Sequence, residues 1–246
     1  MSSIDQIITV LKSEDLFKGC SDDFIGQMAA QGRIISVNKG QVLFVSHDEA
    51  SCFYIVVSGW VKLFRETLDG AQAVVDILPA GHMFGETSLF ENGEYPFSAE
   101  ATESMKLLAV PMGLLQQEIE NNPKMALAML SAMARYRKHQ DREIEHRTLQ
   151  NAPQRIGCFL LRLADQSHEG AVKIHLPYDK TLLASRLGMQ PETFSRALAK
   201  LKEKTGIKVN GATIEMDSLD QLVKYSCAAC SSEFPCNDLP ACSKVG

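Results

Sequence analysis

No stretch of this 246-residue sequence stays apolar for long enough to cross a bilayer. Its longest apolar runs, such as Phe53 to Val57, fall far short of the roughly 20 residues a transmembrane helix needs. The opening residues Met1-Ser2-Ser3-Ile4-Asp5 contain neither a basic nor an apolar region, so they do not read as a secretory leader. Both absences place the chain in the cytoplasm, without a membrane partner. Catalytic signatures are missing as well: there is no Gly-x-Ser-x-Gly, no His-Glu-x-x-His and no phosphate loop, and the chain is not expected to be an enzyme. Positive charge is scarce, with 25 Lys and Arg against 30 Asp and Glu and a formal net charge of -5. That balance alone argues against a nucleic-acid partner, because phosphate binding needs local cations. The distribution reverses the argument. Between Pro153 and Asn210 there are ten Lys or Arg and five Asp or Glu, so one segment carries a basic footprint and the remainder the acidity.

Cysteine is thin over most of the chain and then abundant. Cys20, Cys52 and Cys158 are scattered, whereas Cys227, Cys230, Cys236 and Cys242 crowd the last twenty residues. An odd total of seven does not suit a secreted disulfide framework, and a cytosolic cluster points first to metal or redox chemistry.

From about Val37 to Val110, short apolar runs are broken by Gly40, Gly59, Asp69-Gly70, Ala80-Gly81, Gly85 and Asn92-Gly93. Such spacing predicts a β sandwich or roll of hairpins, with strands over Gln41 to Val45, Phe53 to Val57, Val61 to Phe64 and Ala73 to Leu78. Ahead of it, Ile4 to Leu11 and Asp22 to Gln31 predict short helices, the second capped by Ser21. Past Pro111 the period changes. Asn122 followed by Pro123 is a helix start, and from Lys124 to about Gln150 neither proline nor glycine interrupts. A helix of that length needs a partner along its side. Met129, Met133, Tyr136, Gln140 and Glu143/Ile144 recur at the steps of a two-stranded coiled-coil seam, which predicts a homodimer. A helix packed only on its own domain is the alternative.

The basic segment carries a reading element. Leu182, Leu183, Ala184 and Leu187 stripe a short helix that ends at Gly188, and a second helix starts with Pro191 in its first turn. Phe194, Ala197, Leu198 and Leu201 share one face of that helix, and Glu192, Ser195, Arg196 and Ala199 share the other. A helix-turn-helix needs this split, one face anchoring the helix while the other enters the major groove of double-stranded DNA. Arg196 can pair bidentately with guanine, Glu192 can accept from cytosine, and Ser195 can reach base or phosphate. Lys180, Arg186, Lys200 and Lys202 are candidates to position phosphates. Two β-prone runs around Asn210-Gly211 then predict a hairpin wing. A helical hairpin whose cations merely meet solvent is the plainer reading, and the wing and local charge weigh against it.

These residues resemble the Crp/Fnr superfamily, the cyclic-AMP receptor and fumarate-nitrate reduction regulators, across nearly the whole chain. Phe84-Gly85-Glu86-Thr87-Ser88-Leu89-Phe90 is similar to the signature loop of its effector domain, and Gly40, Gly59 and Gly70 sit where that family turns. Pro191-Glu192-Thr193-Phe194-Ser195-Arg196 resembles the recognition helix of the fumarate-nitrate and dissimilatory nitrate-respiration branch, with Thr193 included among the contact candidates. The resemblance implies an α+β chain: a cyclic-nucleotide-binding-like β-roll of jelly-roll type over residues 1–120, a dimerisation helix over 121–150, a winged helix-turn-helix over 151–224, and a cysteine-rich tail from 225 to 246. It further implies a transcription regulator that works with RNA polymerase and reads a palindrome close to TTGAT-N4-ATCAA. Members that bind cyclic AMP carry an Arg-Ser pair after the Gly-Glu loop, and the corresponding stretch here, Glu94-Tyr95-Pro96-Phe97-Ser98, offers Pro96 and Phe97. A buried phosphate in an effector pocket formed by Phe84, Gly85, Glu86, Pro96 and Phe97 would lack its cation in that loop, which argues against cyclic AMP.

Members with an N-terminal iron-sulfur cluster carry several cysteines ahead of the roll, where this chain has only Cys20. The tail is the other place to look. Cys227-Ala228-Ala229-Cys230 can offer two thiolates to one metal, and four tail thiolates suit a zinc ion or an iron-sulfur cluster. The layout is similar to members that hold a cluster on three C-terminal cysteines and a carboxylate from the long helix. Carried over, these are Cys227, Cys230 and Cys236 with Asp141, and Cys242 is a competing fourth ligand. Redox state, oxygen or nitric oxide would be the signal. A haem sensor is the alternative within the nitrate-respiration branch, with His47, His82, His139 and His146 as candidate axial ligands, and a small ligand other than cyclic AMP is another.

Overall fold

In the computed structural model, residues 3–164, 170–176, 180–211 and 213–231 are described. Chain contacts divide it into two compact units, the first reaching Met133 and the second beginning at Ala134.

The first unit opens with helices α1 (Ser3–Ser13) and α2 (Asp22–Gln31). Ser21 caps α2 as expected, its hydroxyl accepting from the Phe24 amide. Eight strands follow: β1 (Arg33–Val37), β2 (Val42–Phe44), β3 (Cys52–Ser58), β4 (Val61–Glu66), β5 (Gln72–Leu78), β6 (Met83–Phe84), β7 (Ser98–Ala101) and β8 (Met105–Pro111). They form two antiparallel four-stranded sheets, ordered β1-β8-β3-β6 and β2-β7-β4-β5. The central strands β3 and β8 bury both faces. Val56 and Leu107 enter the roll, while Phe53, Ile55, Leu108 and Val110 face a second core built with the helices. Strand β8 therefore lacks the polar alternation that marks a half-buried strand in sequence.

Helix α3 (Met112–Asn121) follows without a loop. Helix α4 (Pro123–Leu149) starts where Asn122 and Pro123 predict, the Asn122 side chain accepting from the Lys124 amide. Its exposed large apolar side chains are Leu127, Leu130, Met133, Tyr136, Ile144 and Leu149. Two members of the expected seam need correction. Met129 is buried in the helical core of the first unit, and Glu143 is turned inward and held by arginines of the second. No helix among the described residues is long and apolar enough to cross a membrane.

The second unit continues with α5 (Ala152–Leu163), whose start is fixed by a reciprocal capping box between Asn151 and Gln154. Strand β9 (Val172–His175), helix α6 (Lys180–Arg186), helix α7 (Pro191–Thr205), strands β10 (Lys208–Asn210) and β11 (Thr213–Met216), and helix α8 (Leu219–Ser226) complete it. The strands make an antiparallel sheet ordered β10-β11-β9. Ile156, Leu160, Leu183, Phe194, Leu198, Leu201, Ile214 and Leu222 are buried here. Helices α5 and α8 meet so closely that a Cβ on Gly157 would lie 2.0 Å from Ser226 Oγ and 3.2 Å from Leu222 Cδ1. Gly157→Ala is therefore expected to lower unfolding stability by about 1–3 kcal/mol. Denaturant titration reads it, and an unchanged midpoint would show that the two helices separate freely.

Candidate nucleic-acid interface and sulfur site

The helix-turn-helix is assembled from α6, a glycine turn and α7. Gly188 adopts φ 62, a conformation that favours glycine, and the Met189 amide donates back to the Ala184 carbonyl at 2.8 Å. Gln190 occupies the N-cap position of α7 without a side-chain hydrogen bond, and Pro191 stands in its first turn. Phe194, Ala197, Leu198 and Leu201 are buried, which turns Glu192, Ser195 and Arg196 to the exposed face, with Thr193 half-buried beside them. Lys180, Lys200 and Lys202 are exposed too. Behind them β10 and β11 pair Asn210 with Thr213 across the turn at Gly211, and β11 is braced on its other edge by β9.

Arg186 requires correction. It is 6% exposed, and its Nη1 donates to Glu143 Oε2 at 3.3 Å. A buried guanidinium committed to a carboxylate cannot also position phosphate on the surface. Glu143 in turn accepts from Arg162 Nη1 on α5. Burial alone would push the Glu143 carboxyl up, but Arg162 and Arg186 outweigh it and hold the group at about 2.

The same arginine reaches two histidines. Arg162 Nη1 lies 2.9 Å from His139 Nε2, and its Nη2 lies 3.2 Å from His146 Nδ1. His146 is buried between two sulfurs, with Cys158 Sγ 3.8 Å from Nδ1 and Cys230 Sγ 3.5 Å from Nε2. Burial first, and then the charge of Arg162, push its basicity below the ordinary histidine value.

The tail thus returns to α4, at residues other than the one expected. Asp141 is exposed and accepts from Arg137 Nε at 3.3 Å, within its own helix. The carboxylate that meets the tail is Glu145, which accepts from the Ser231 amide at 2.8 Å and the Ser231 hydroxyl at 2.9 Å. Cys227 and Cys230 bracket a short 3-10 turn directly after α8, both of intermediate exposure. Ser226, just before them, is fully buried with its hydroxyl unpartnered among the described residues. Cys236 and Cys242 lie outside the described residues. Among the described residues, no group of three or more His, Cys, Asp or Glu is placed to hold a metal ion.

In the roll, four of the rings stack. Phe44 and Tyr95 lie 3.6 Å apart between centroids, Phe44 and Tyr54 5.7 Å, and Tyr54 and Phe84 5.3 Å. Tyr95 donates to the Cys52 carbonyl at 2.6 Å. Gly85 turns with φ 88 into a short helix begun by Glu86, whose carboxyl is pushed up by burial. Pro96 and Phe97 are half-buried. The sequence shows no cation in the Pro96 loop, yet the fold delivers one from β4: Arg65 Nε donates to the Pro96 carbonyl at 3.1 Å. Of the other candidate haem ligands, His47 sits on the surface against Glu94, and His82 is driven toward its neutral form by burial.

With this geometry in view, relatives can be named. Residues 34–122 match the cyclic nucleotide-binding domain, and residues 154–225 match the Crp-like helix-turn-helix domain. A regulatory protein of known structure from Silicibacter pomeroyi DSS-3 is 30% identical, with 90% of this chain and 99% of that one covered and a TM-score of 0.67. The chain belongs to the Crp/Fnr family. The cyclic AMP receptor protein of Thermus thermophilus is 29% identical over 206 residues, covering 84% of this chain and 94% of the relative. The fumarate and nitrate reduction regulatory protein of Escherichia coli K12 is 24% identical over 193 residues, covering 77% of each. As a Crp/Fnr-type protein, the chain is a DNA-binding transcription regulator, with a β-rich first domain, a long helix and a C-terminal helix-turn-helix.

Proposed function

We propose that this Crp/Fnr regulator is a homodimer that reads a TTGAT-N4-ATCAA-like palindrome and senses redox state, oxygen or nitric oxide through an iron-sulfur centre on its tail cysteines. The observation that carries the DNA reading is the exposed row Glu192, Ser195 and Arg196 near the start of α7. Thr193 borders that row, and Lys180, Lys200 and Lys202 fix the register on the phosphates. The exposed apolar side chains along α4, among them Leu130, Met133 and Ile144, support a second copy as their cover, and paired reading helices match a two-fold palindrome.

For the sensor, the donor chemistry of Cys227 and Cys230 fits a soft metal. Cys236 and Cys242 supply the further thiolates. An iron-sulfur centre held there supplies sensitivity to oxidants and nitric oxide, and through the tail's seat on Glu145 and His146 its state bears on α4.

One anaerobic preparation tests both halves. Iron and sulfide should be present, and mobility shifts should favour the palindrome over its scrambled form by at least about a thousandfold. A colourless, iron-free protein would sink the iron-sulfur reading, with stoichiometric zinc pointing to a zinc site instead. Equal affinity for the two DNAs would sink the palindrome.

A further inference from the structure

Arg162 determines what His146 can do. A guanidinium only donates, so its approach to Nδ1 at 3.2 Å makes that nitrogen an acceptor and leaves the ring proton on Nε2. The Nε2 proton then points at Cys230 Sγ, 3.5 Å away. A histidine that bound metal through Nε2 would need its proton on Nδ1 and an acceptor facing it, and Arg162 is the opposite. His146 is therefore built to donate to a tail sulfur, not to share its metal.

The contacts continue beyond the ring. Arg162 is fixed by Glu143, and Glu143 also accepts from Arg186, the last residue of α6. Each of these side chains is buried or half-buried, and Glu143 bridges two arginines that come from different helices. Buried networks of this sort are not easily rearranged one member at a time, because any charge left behind is costly.

We infer that His146 donates its Nε2 proton to the sulfur of Cys230, and that the relay Cys230, His146, Arg162, Glu143, Arg186 couples the cysteine site to the first helix of the helix-turn-helix. This rests on the tail cysteines holding a metal, as proposed above. When Cys230 is a metal-bound thiolate, it is a strong acceptor and the relay is taut. When the metal leaves and the sulfur takes up a proton from solvent, the thiol is a weaker acceptor, and the position of Arg162 between His146 and Glu143 is less firmly held. His146 is then a positioning residue for the sulfur and the first link to α6.

The test uses the full chain with zinc as the probe, titrated against a chromophoric chelator, and DNA affinity measured with and without the metal. His146→Phe keeps a ring and removes the donor, and it is expected to weaken zinc binding by about tenfold or more. It should also bind DNA equally with and without metal. His146→Gln, whose amide can donate, should recover most of both effects, and Asp141→Ala should leave both unchanged. If His146→Phe fails to fold, Arg162→Lys takes its place, since it keeps a charge beside Glu143 and releases the Nδ1 contact. Wild-type zinc affinity and an intact DNA response in the His146 or Arg162 variant would overturn the inference while leaving the tail site standing. A wild-type chain that binds neither zinc nor an iron-sulfur centre would overturn the tail site itself.

Discussion

Arg196→Ala is expected to remove the discrimination at the guanines of the palindrome while leaving the fold intact. The guanidinium is exposed one turn into α7, on the face opposite Phe194, Ala197 and Leu198, so truncating it opens no cavity. A bidentate arginine-guanine pair accounts for about 1–3 kcal/mol of discrimination, or roughly 5- to 150-fold in relative affinity. The loss should be confined to specific DNA. Fluorescence anisotropy with the palindrome and with a version altered at its guanines checks this: wild type should separate the two, and the variant should not. If the variant loses affinity equally on every sequence, Arg196 contacts phosphate and reads no base.

Glu143→Ala should be the most damaging single change in the second unit. It strands Arg162 and Arg186, both largely buried, without their shared carboxylate. Breaking a buried pair by removing one partner costs about 3–5 kcal/mol, which corresponds to a fall in melting midpoint of more than about 10 °C for a domain of this size. The same network sets an acid limit. Glu143 is held at about 2 against an ordinary 4.5, so the folded carboxylate binds protons less readily than the unfolded one. Its contribution is fully present above the unfolded value and is lost as pH falls through about 4.5 toward 2, a loss of about 3 kcal/mol. The groups facing Glu143 are Arg162, Arg186 and His139. The arginines stay charged across that window. Denaturant unfolding at pH 7, 5 and 3 measures the slope, and Glu143→Gln should flatten it. A wild-type slope in that variant would assign acid sensitivity to other carboxylates.

What the sequence revealed follows from which signals are local. The two halves of the helix-turn-helix were legible because Gly188, Pro191 and the spacing of Phe194, Ala197, Leu198 and Leu201 are short-range features. So were the Ser21 cap and the Asn122-Pro123 start of α4. Strand β7, Ser-Ala-Glu-Ala, offers little strand propensity and forms because β2 and β4 pair with it on both sides. Helix α5 is marked in the sequence by Asn151 and Gln154, the two members of its capping box. The sulfur site was only half visible. A C-x-x-C pair is local, but the choice of His146 over Asp141 depends on where the tail meets α4, and the burial of Arg186 depends on Glu143 from another helix. Arg65 escaped for the same reason, reaching the Pro96 loop from 31 positions away.

The seat of the tail on α4 also has a meaning for how the molecule is made. Cys230 and His146 touch across 84 positions of sequence. Chains emerge from the ribosome N-terminus first and fold unit by unit, so α4, both helix-turn-helix helices and the wing are already synthesised when Cys227 and Cys230 appear. The sulfur contact is consequently a late closure on a reading head that exists before it. Newly made regulator passes through a stage with its DNA-binding surface finished and its sulfurs unseated.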